Sequence, residues 1–423
     1  MKLKSYSDKF TEFSKNALFQ SLDNHLQHFI YKTGKTYRLT FQELIQLTDM
    51  AVDFHMWDEP SLEEKWNAIE SSIESNNGQK KKAILNKIKN DWQNLKVNPS
   101  KYKNNAPIVK SIIRKVKDHT EEHEIFGLCP VASENTVCCN LKTIDAIQGC
   151  GLGCSYCSIQ TFYEDGAIGI ESNLAEKLKN LELDPNKNYH IGSGQSSDSL
   201  AMGNRNGVLD AQLDFARNNP NIILEFKTKT KNIDYFLSID LPPNILVCWS
   251  LNPQTIINNE EHFTASLDQR LNAARQLSSK GVQVGFHFHP IVHYETYEKD
   301  YTEIAETIIS MFSPIEIGMV SMGTLTFIKP AIKSLRSLGI PSKVLQMPMA
   351  DAAGKFSYPL EIKENIFKTV WNAFAPWHNK VFFYFCMEEK KLWQSVMGKC
   401  YTSNNEFEKD LFFSVSSKIT FQS

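Results

Sequence analysis

The chain has 423 residues, 42% of them hydrophobic and 22% charged, with a formal net charge of −2. That balance excludes a disordered or fibrous chain and fits a soluble globular protein long enough for one large core plus an added domain. No apolar run is long enough to span a bilayer, Val381–Met387 being among the longest, and the first residues lack the apolar stretch of a signal peptide. Nine cysteines without a regular framework point to a reducing compartment, so the expected location is cytoplasmic, with no membrane association.

The first 120 residues read as an all-helical domain. Phe10, Phe13, Leu18, Leu22, Leu26 and Phe29 recur at helical spacing. Thr40 with Glu43, and Ser61 with Glu64, have the pattern of capping boxes ahead of apolar helical stripes. After a break at Ser75–Gly78, a further helix places Ile84, Leu85, Ile88, Trp92 and Leu95 on one face. Residues 80–117 carry twelve basic residues and one acid, a local charge of +11 that leaves −13 on the remainder. Such a block is either a phosphate-contacting surface or a solvated basic face.

From 121 to 345, strand-like runs alternate with helices. The runs are Lys142–Gln148, Tyr189–Gly192, Ile222–Thr228, Ile245–Leu251, Val282–Phe288 and Ile315–Val320, with one intervening helix opened by Ser266 and Gln269 and closed by Gly281. Six such units predict an α/β partial (β/α)6 barrel with its chemistry at the C-terminal strand ends. Residues 346–423 then form a C-terminal α/β extension.

The first strand runs into Cys150, Cys154 and Cys157, spaced C-x3-C-x2-C on a glycine-rich loop. Three thiolates so placed can ligate three irons of a [4Fe–4S] cube and leave one iron open; a zinc knuckle and a plain electron-transfer cluster are the alternatives. With Ile159-Gln160-Thr161 following, the chain resembles radical S-adenosylmethionine enzymes, and within them the spore photoproduct lyase group, from about residue 125 to about 345. The resemblance implies a [4Fe–4S] cluster whose open iron chelates S-adenosylmethionine, a flavodoxin- or ferredoxin-type electron donor, and reductive cleavage to a 5′-deoxyadenosyl radical. It also implies DNA as a partner, the radical taking hydrogen from a DNA lesion or another nucleobase. A radical enzyme acting on a peptide or small molecule is one alternative. A non-catalytic iron–sulfur or zinc protein binding nucleic acid is the other.

Site residues follow from the same resemblance. The methionyl ammonium is expected at Gly192, Ser193, Gly194, Ser196 and Asp198, where small residues allow close backbone approach. Lys229 and Ser250 match the positions that hold the cofactor carboxylate, and Asn252 is expected at the ribose. Tyr156 matches one of the tyrosines that assist the family's hydrogen return. The family's hydrogen-donating cysteine aligns with Gln195, which has no weak X–H bond, and the position after Cys157 is Ser158. Either the vicinal pair Cys138-Cys139, just upstream of the first barrel strand, supplies the donor, with Cys139 the candidate, or the reaction is a different one. His287 and His289 share a strand face and are expected to line the barrel mouth, as hydrogen-bonded pocket residues or as ligands of a second metal. The six cysteines outside the motif show no obvious pattern for a second cluster.

Overall fold

The computed structural model describes residues 5–74, 77–103, 107, 109, 115–119, 123–129, 136–158, 167–194 and 197–422. The chain forms two compact units, Met1–Val109 with Phe327–Pro348, and Lys110–Thr326 with Met349–Ser423. This division differs from the boundaries at 120 and 345 expected from the sequence.

The first unit is helical. Helices α1 (Tyr6–Phe13), α2 (Ala17–Gln20), α3 (Asn24–Tyr37), α4 (Phe41–Met56), α5 (Leu62–Ser71) and α6 (Asn77–Val97) surround a core that includes Phe13, Ile30, Leu47, Phe54, Leu62 and Trp66. Both capping boxes form: Thr40 and Glu43 open α4, and Ser61 and Glu64 open α5, each satisfying backbone N–H groups that a helix start leaves unpaired. On α6, Ile84 and Ile88 enter the core, with Leu85, Trp92 and Leu95 packed against it. Segment 327–348 belongs here because its helix, Lys329–Ser337, buries Ala331 and Leu335 and sends Arg336 to Asp53. Asp53 is fully buried; it accepts two bonds of 2.8 Å from the Arg336 guanidinium and one of 2.8 Å from Trp92 Nε1. A buried carboxylate is tolerated because every contact is a charge-assisted or neutral hydrogen bond.

The basic segment is only partly free for an outside partner. Lys81 pairs with Glu43 at 3.0 Å, and Lys103 pairs with Asp58. Lys96 lies 3.4 Å from the Trp92 ring centre, where burial brings its ammonium down to about 8. Lys82, Lys87 and Lys89 are exposed. Lys110 and Arg114 lie outside the described residues.

The second unit is a mixed α/β fold built on a curled half-barrel sheet. Its parallel strands are β1 (Lys142–Ile144), β2 (Tyr189–Ser193), β3 (Ile222–Thr228), β4 (Ile245–Ser250), β5 (Gln283–Ile291), β6 (Ile317–Thr324) and β7 (Phe382–Phe385), neighbours in space in that order. An antiparallel strand, Phe126–Leu128, forms the far edge beside β1. Every residue of β2, β4 and β6 is buried, as in a parallel sheet covered on both faces. Helices including Val208–Asn218, Leu267–Ser279, Tyr297–Met311 and Leu360–Ala373 connect consecutive strands.

Two expectations are corrected here. The described sheet has seven parallel strands, not six, because Phe382–Phe385 pairs in parallel with β6; the segment after 349 therefore continues the sheet and is no separate extension. The first strand is also shorter than Lys142–Gln148. After Ile144 the chain leaves the main sheet, and Ile147–Gln148 pairs antiparallel with Ile168–Glu171 in a second, three-stranded sheet. Among the described residues, no helix is long and apolar enough to cross a membrane.

Candidate active site

The cysteine loop is fixed by backbone geometry before any ligand is considered. Gly149 and Gly153 have φ of +80° and +66°; a Cβ at the first would stand 2.9 Å from the Ala167 carbonyl oxygen, and at the second 2.8 Å from the Phe263 ring. The loop pairs with segment 260–263: Ser155 N donates to the Glu260 carbonyl (2.8 Å), Phe263 N to the Leu152 carbonyl (3.1 Å), and Cys154 bridges Glu261. Ser155 and Glu260 add a side-chain hydrogen bond.

The loop collects Cys150, Cys154 and Cys157 within electrostatic range of one another. Burial, and then the Asp198 carboxylate, push the Cys150 thiol up to about 12; burial and Glu261 push Cys154 well up. Lys229 opposes both shifts. Among the described residues, no His, Asp or Glu joins these sulfurs in a compact set of ion ligands. Three thiols on one short loop with no fourth side-chain donor fit a cluster that keeps one open iron, and fit a closed tetrahedral zinc site poorly.

Facing the loop is a lysine–serine pair from the next strand ends. Lys229, just past β3, donates through Nζ to Ser250 Oγ (2.6 Å), at the end of β4. Ser250 Oγ in turn donates to the His289 carbonyl (2.9 Å). The Lys229 ammonium lies 5.9 Å from the Tyr156 ring centre, inside the cysteine loop. The Tyr156 hydroxyl donates to Glu261, whose carboxylate also receives Asn252 Nδ2 (2.8 Å) and the Arg270 guanidinium. Burial favours a protonated Glu261, but Arg270 and then Lys229 outweigh it and hold the group down to about 2.

The loop after β2 is built differently from its expected role. Gly192 and Ser193 are buried in β2, and the Ser193 carbonyl accepts from Ser199 Oγ (2.6 Å). Gly194 has a φ of +86°, and a Cβ there would stand 2.4 Å from Ser199 Oγ and 2.8 Å from its backbone nitrogen, so only glycine fits this turn. Ser196 and Gln195 lie outside the described residues. Asp198 does not meet the ammonium site as an open acid. It accepts from Thr228 Oγ1 (2.8 Å) and from the backbone nitrogens of Leu200 (3.0 Å), Ala201 (2.9 Å) and Lys229 (2.7 Å). Three of these donors fall on Oδ1 and one, the Lys229 backbone nitrogen, on Oδ2, so Asp198 ties the end of β3 to this turn.

Asn252 also stands behind the site. It is fully buried, its amide held between Glu261 and the Tyr301 hydroxyl (2.7 Å).

Below these strand ends lies a buried polar floor. Glu225 on β3 bonds His190 Nε2 (2.8 Å) and His287 Nε2 (2.6 Å), while His289 Nε2 meets Ser321 Oγ (2.8 Å). Burial raises Glu225, but the His287 and His190 imidazoles outweigh it and keep it well below the usual carboxylate range. His287 and His289 thus line the barrel interior as hydrogen-bonded residues. Cys139 lines a cavity above this floor, hydrogen-bonded to Cys138; that bond lowers Cys138 to about 6 and, with burial, raises Cys139. Sequence reading missed Glu225, Glu261 and Arg270. Glu225 shows only as a charge within an apolar strand, Glu261 ends one helix and Arg270 lies in the next, so none stands out locally.

The comparisons agree with this architecture. The family model described as spore photoproduct lyase matches residues 140–356, more than half of the chain. A spore photoproduct lyase of Clostridium acetobutylicum is 23% identical over 219 residues, covering 50% of this chain and 63% of that protein. One from a Geobacillus strain is 24% identical over 195 residues, covering 44% and 57%. The chain therefore spans less than two thirds of the length of these relatives. A solved structure of a spore photoproduct lyase mutant with bound AdoMet and dinucleoside spore photoproduct is similar in fold, at TM-score 0.51 and 22% identity, over 57% of this chain and 75% of that one. With the cysteine loop, the lysine–serine pair and strands β1 to β6 inside the matched span, the chain belongs to the spore photoproduct lyase family.

Proposed function

We propose that the chain is a radical S-adenosylmethionine enzyme of the lyase type, acting on a lesion or base in DNA. The observation that carries this reading is the Lys229–Ser250 pair beside the cysteine loop, a cationic hydrogen-bonding site that a structural cluster has no use for. When bound, [4Fe–4S] and S-adenosylmethionine supply reductive cleavage to a 5′-deoxyadenosyl radical that takes hydrogen from the substrate.

The protein's part is positioning. Cys150, Cys154 and Cys157 hold the cluster, and Lys229 and Ser250 receive the cofactor carboxylate by charge-assisted hydrogen bonding. Asp198 fixes the Lys229 backbone, and the tight turn at Gly194 sets the approach of the β2 end. Tyr156 is locked by Glu261, so its ring stays against the cluster loop. An external flavodoxin- or ferredoxin-type donor supplies the electron. Exposed Lys82, Lys87 and Lys89 are the DNA-contacting part of the basic segment.

Anaerobic reconstitution with S-adenosylmethionine and reductant, followed by quantification of 5′-deoxyadenosine with and without dinucleoside spore photoproduct, tests the reading. Product stimulated by the lesion supports it. Cofactor cleavage indifferent to DNA lesions moves the substrate to a peptide or small molecule, and no cleavage by cluster-replete protein refutes catalysis of this type.

A further inference from the structure

Four of the six cysteines outside the motif converge where the half-barrel closes. The sheet has two edges, Phe126–Leu128 and β7, and they are tied by Val137 N donating to the Glu388 carbonyl (3.1 Å). Cys129 is the first residue past one edge strand and Cys386 the first past the other. Cys138 and Cys139 follow Val137 directly. All four line a single cavity of about 140 Å³, together with Tyr384 and Lys227.

Backbone bonds hold these positions. Cys129 N donates to the Leu141 carbonyl (2.9 Å), Cys386 N to the Met322 carbonyl (2.8 Å), and Cys138 N to Asn404 Oδ1 (3.0 Å). We infer that Cys129, Cys138, Cys139 and Cys386 ligate a second iron–sulfur cluster, which staples the two edges of the sheet.

Spacing decides for a cluster over a single ion. Ligands of one zinc lie about 2.3 Å from the metal, which draws their sulfurs close together. No three of these cysteines have sulfurs within 4.8 Å of one another, and neither do Cys150, Cys154 and Cys157. A cube spreads its thiolate ligands over separate irons, so four thiols around one cavity that do not close on a single ion remain compatible with it. Four thiolates would make the assembly anionic, and the half-buried Lys227 is among the residues lining the cavity, as is Glu225.

The neighbouring Glu225–Cys248–His287 group has ion-ligand spacing, but both carboxylate oxygens of Glu225 already bond imidazoles. That group is a hydrogen-bonded network. Ligation of Cys139 takes it out of the hydrogen-donor role expected from the sequence. With four protein ligands the seam cluster has no open iron, which makes it structural or electron-carrying and leaves S-adenosylmethionine to the motif cluster.

The test uses the full chain with Cys150, Cys154 and Cys157 all changed to Ala, reconstituted anaerobically with ferrous iron and sulfide. The triple variant is expected to keep about four irons with broad iron–sulfur absorbance, against about eight in the parent. Adding Cys386→Ser should remove that iron, while adding Cys400→Ala, outside the cavity, should not. Circular dichroism of the two variants separates loss of ligand from loss of fold. An iron-free triple variant of native circular dichroism, retention of zinc in place of iron, or iron unchanged by Cys386→Ser would each overturn the inference.

Discussion

Lys229→Ala is the sharpest perturbation of the proposed cofactor site. The ammonium is held by one side-chain bond, 2.6 Å to Ser250 Oγ, while its backbone nitrogen is tied separately to Asp198 at 2.7 Å. Truncation therefore removes the charge and leaves the strand end in place. A charge-assisted hydrogen bond to a carboxylate is worth about 1.5–3 kcal/mol, so the Kd for S-adenosylmethionine should rise about 10- to 150-fold. Ser250→Ala, which removes only the neutral partner, should cost about 0.5–1.5 kcal/mol. The assay is anaerobic equilibrium binding of S-adenosylmethionine to reconstituted protein, with iron content measured on the same samples. Iron should be unchanged in both variants, because neither residue ligates the cluster. Equal affinity in Lys229→Ala and the parent, at equal iron, would refute the carboxylate assignment and turn attention to Lys227 two residues earlier.

Asp53→Ala should destabilise the helical unit by about 2–4 kcal/mol, since it leaves the mostly buried Arg336 guanidinium only Asp49, at 3.4 Å; urea unfolding followed by Trp fluorescence reads the loss. Glu316, bonded to Arg275, Ser278 and the Ser313 nitrogen, is held down to about 2, chiefly by Arg275. Its contribution is complete above the unfolded value of 4.5 and is lost as pH falls through about 2; with solvent screening it amounts to about 1–2 kcal/mol, and Glu316→Gln should flatten that acid limb of the stability curve. Changing Lys82, Lys87 and Lys89 together to Gln should lower the slope of log affinity for duplex DNA against log salt by about 2–3 without altering S-adenosylmethionine binding. Unchanged slopes would remove α6 from the DNA-contacting surface.

What the sequence disclosed was local. Capping boxes at Thr40–Glu43, Ser61–Glu64 and Ser266–Gln269 form as their spacing requires, and the stripe Ile84–Ile88 enters the core. The Cys150–Cys157 loop was legible because all three donors sit within eight residues. Long-range pairings left no such trace. Asp53 and Arg336 are 283 positions apart, and Ser100 Oγ reaches the Gln346 carbonyl across 246. Strand β7 is aromatic throughout, with no alternation to separate it from a buried helix segment. Asp198 read as a ligand because a carboxylate after a strand looks available until its four donors are known. The seam cysteines were illegible for the same reason, since Cys386 reaches the others only through the order of the sheet.

The discontinuity of the helical unit sets the timetable of synthesis. A chain emerging from the ribosome presents α1 to α6 first, and N-terminal domains ordinarily fold as they appear. Here the segment that neutralises Asp53 leaves the ribosome only after β1 to β6 have been made. Until then Asp53 has the Trp92 hydrogen bond and the nearby Lys96 but lacks its two bonds to a guanidinium, so the unit should stay looser while most of the half-barrel is made. A nascent fragment ending before residue 327 should therefore be protease-sensitive in its first hundred residues, and the sensitivity should vanish once residue 348 has cleared the exit tunnel.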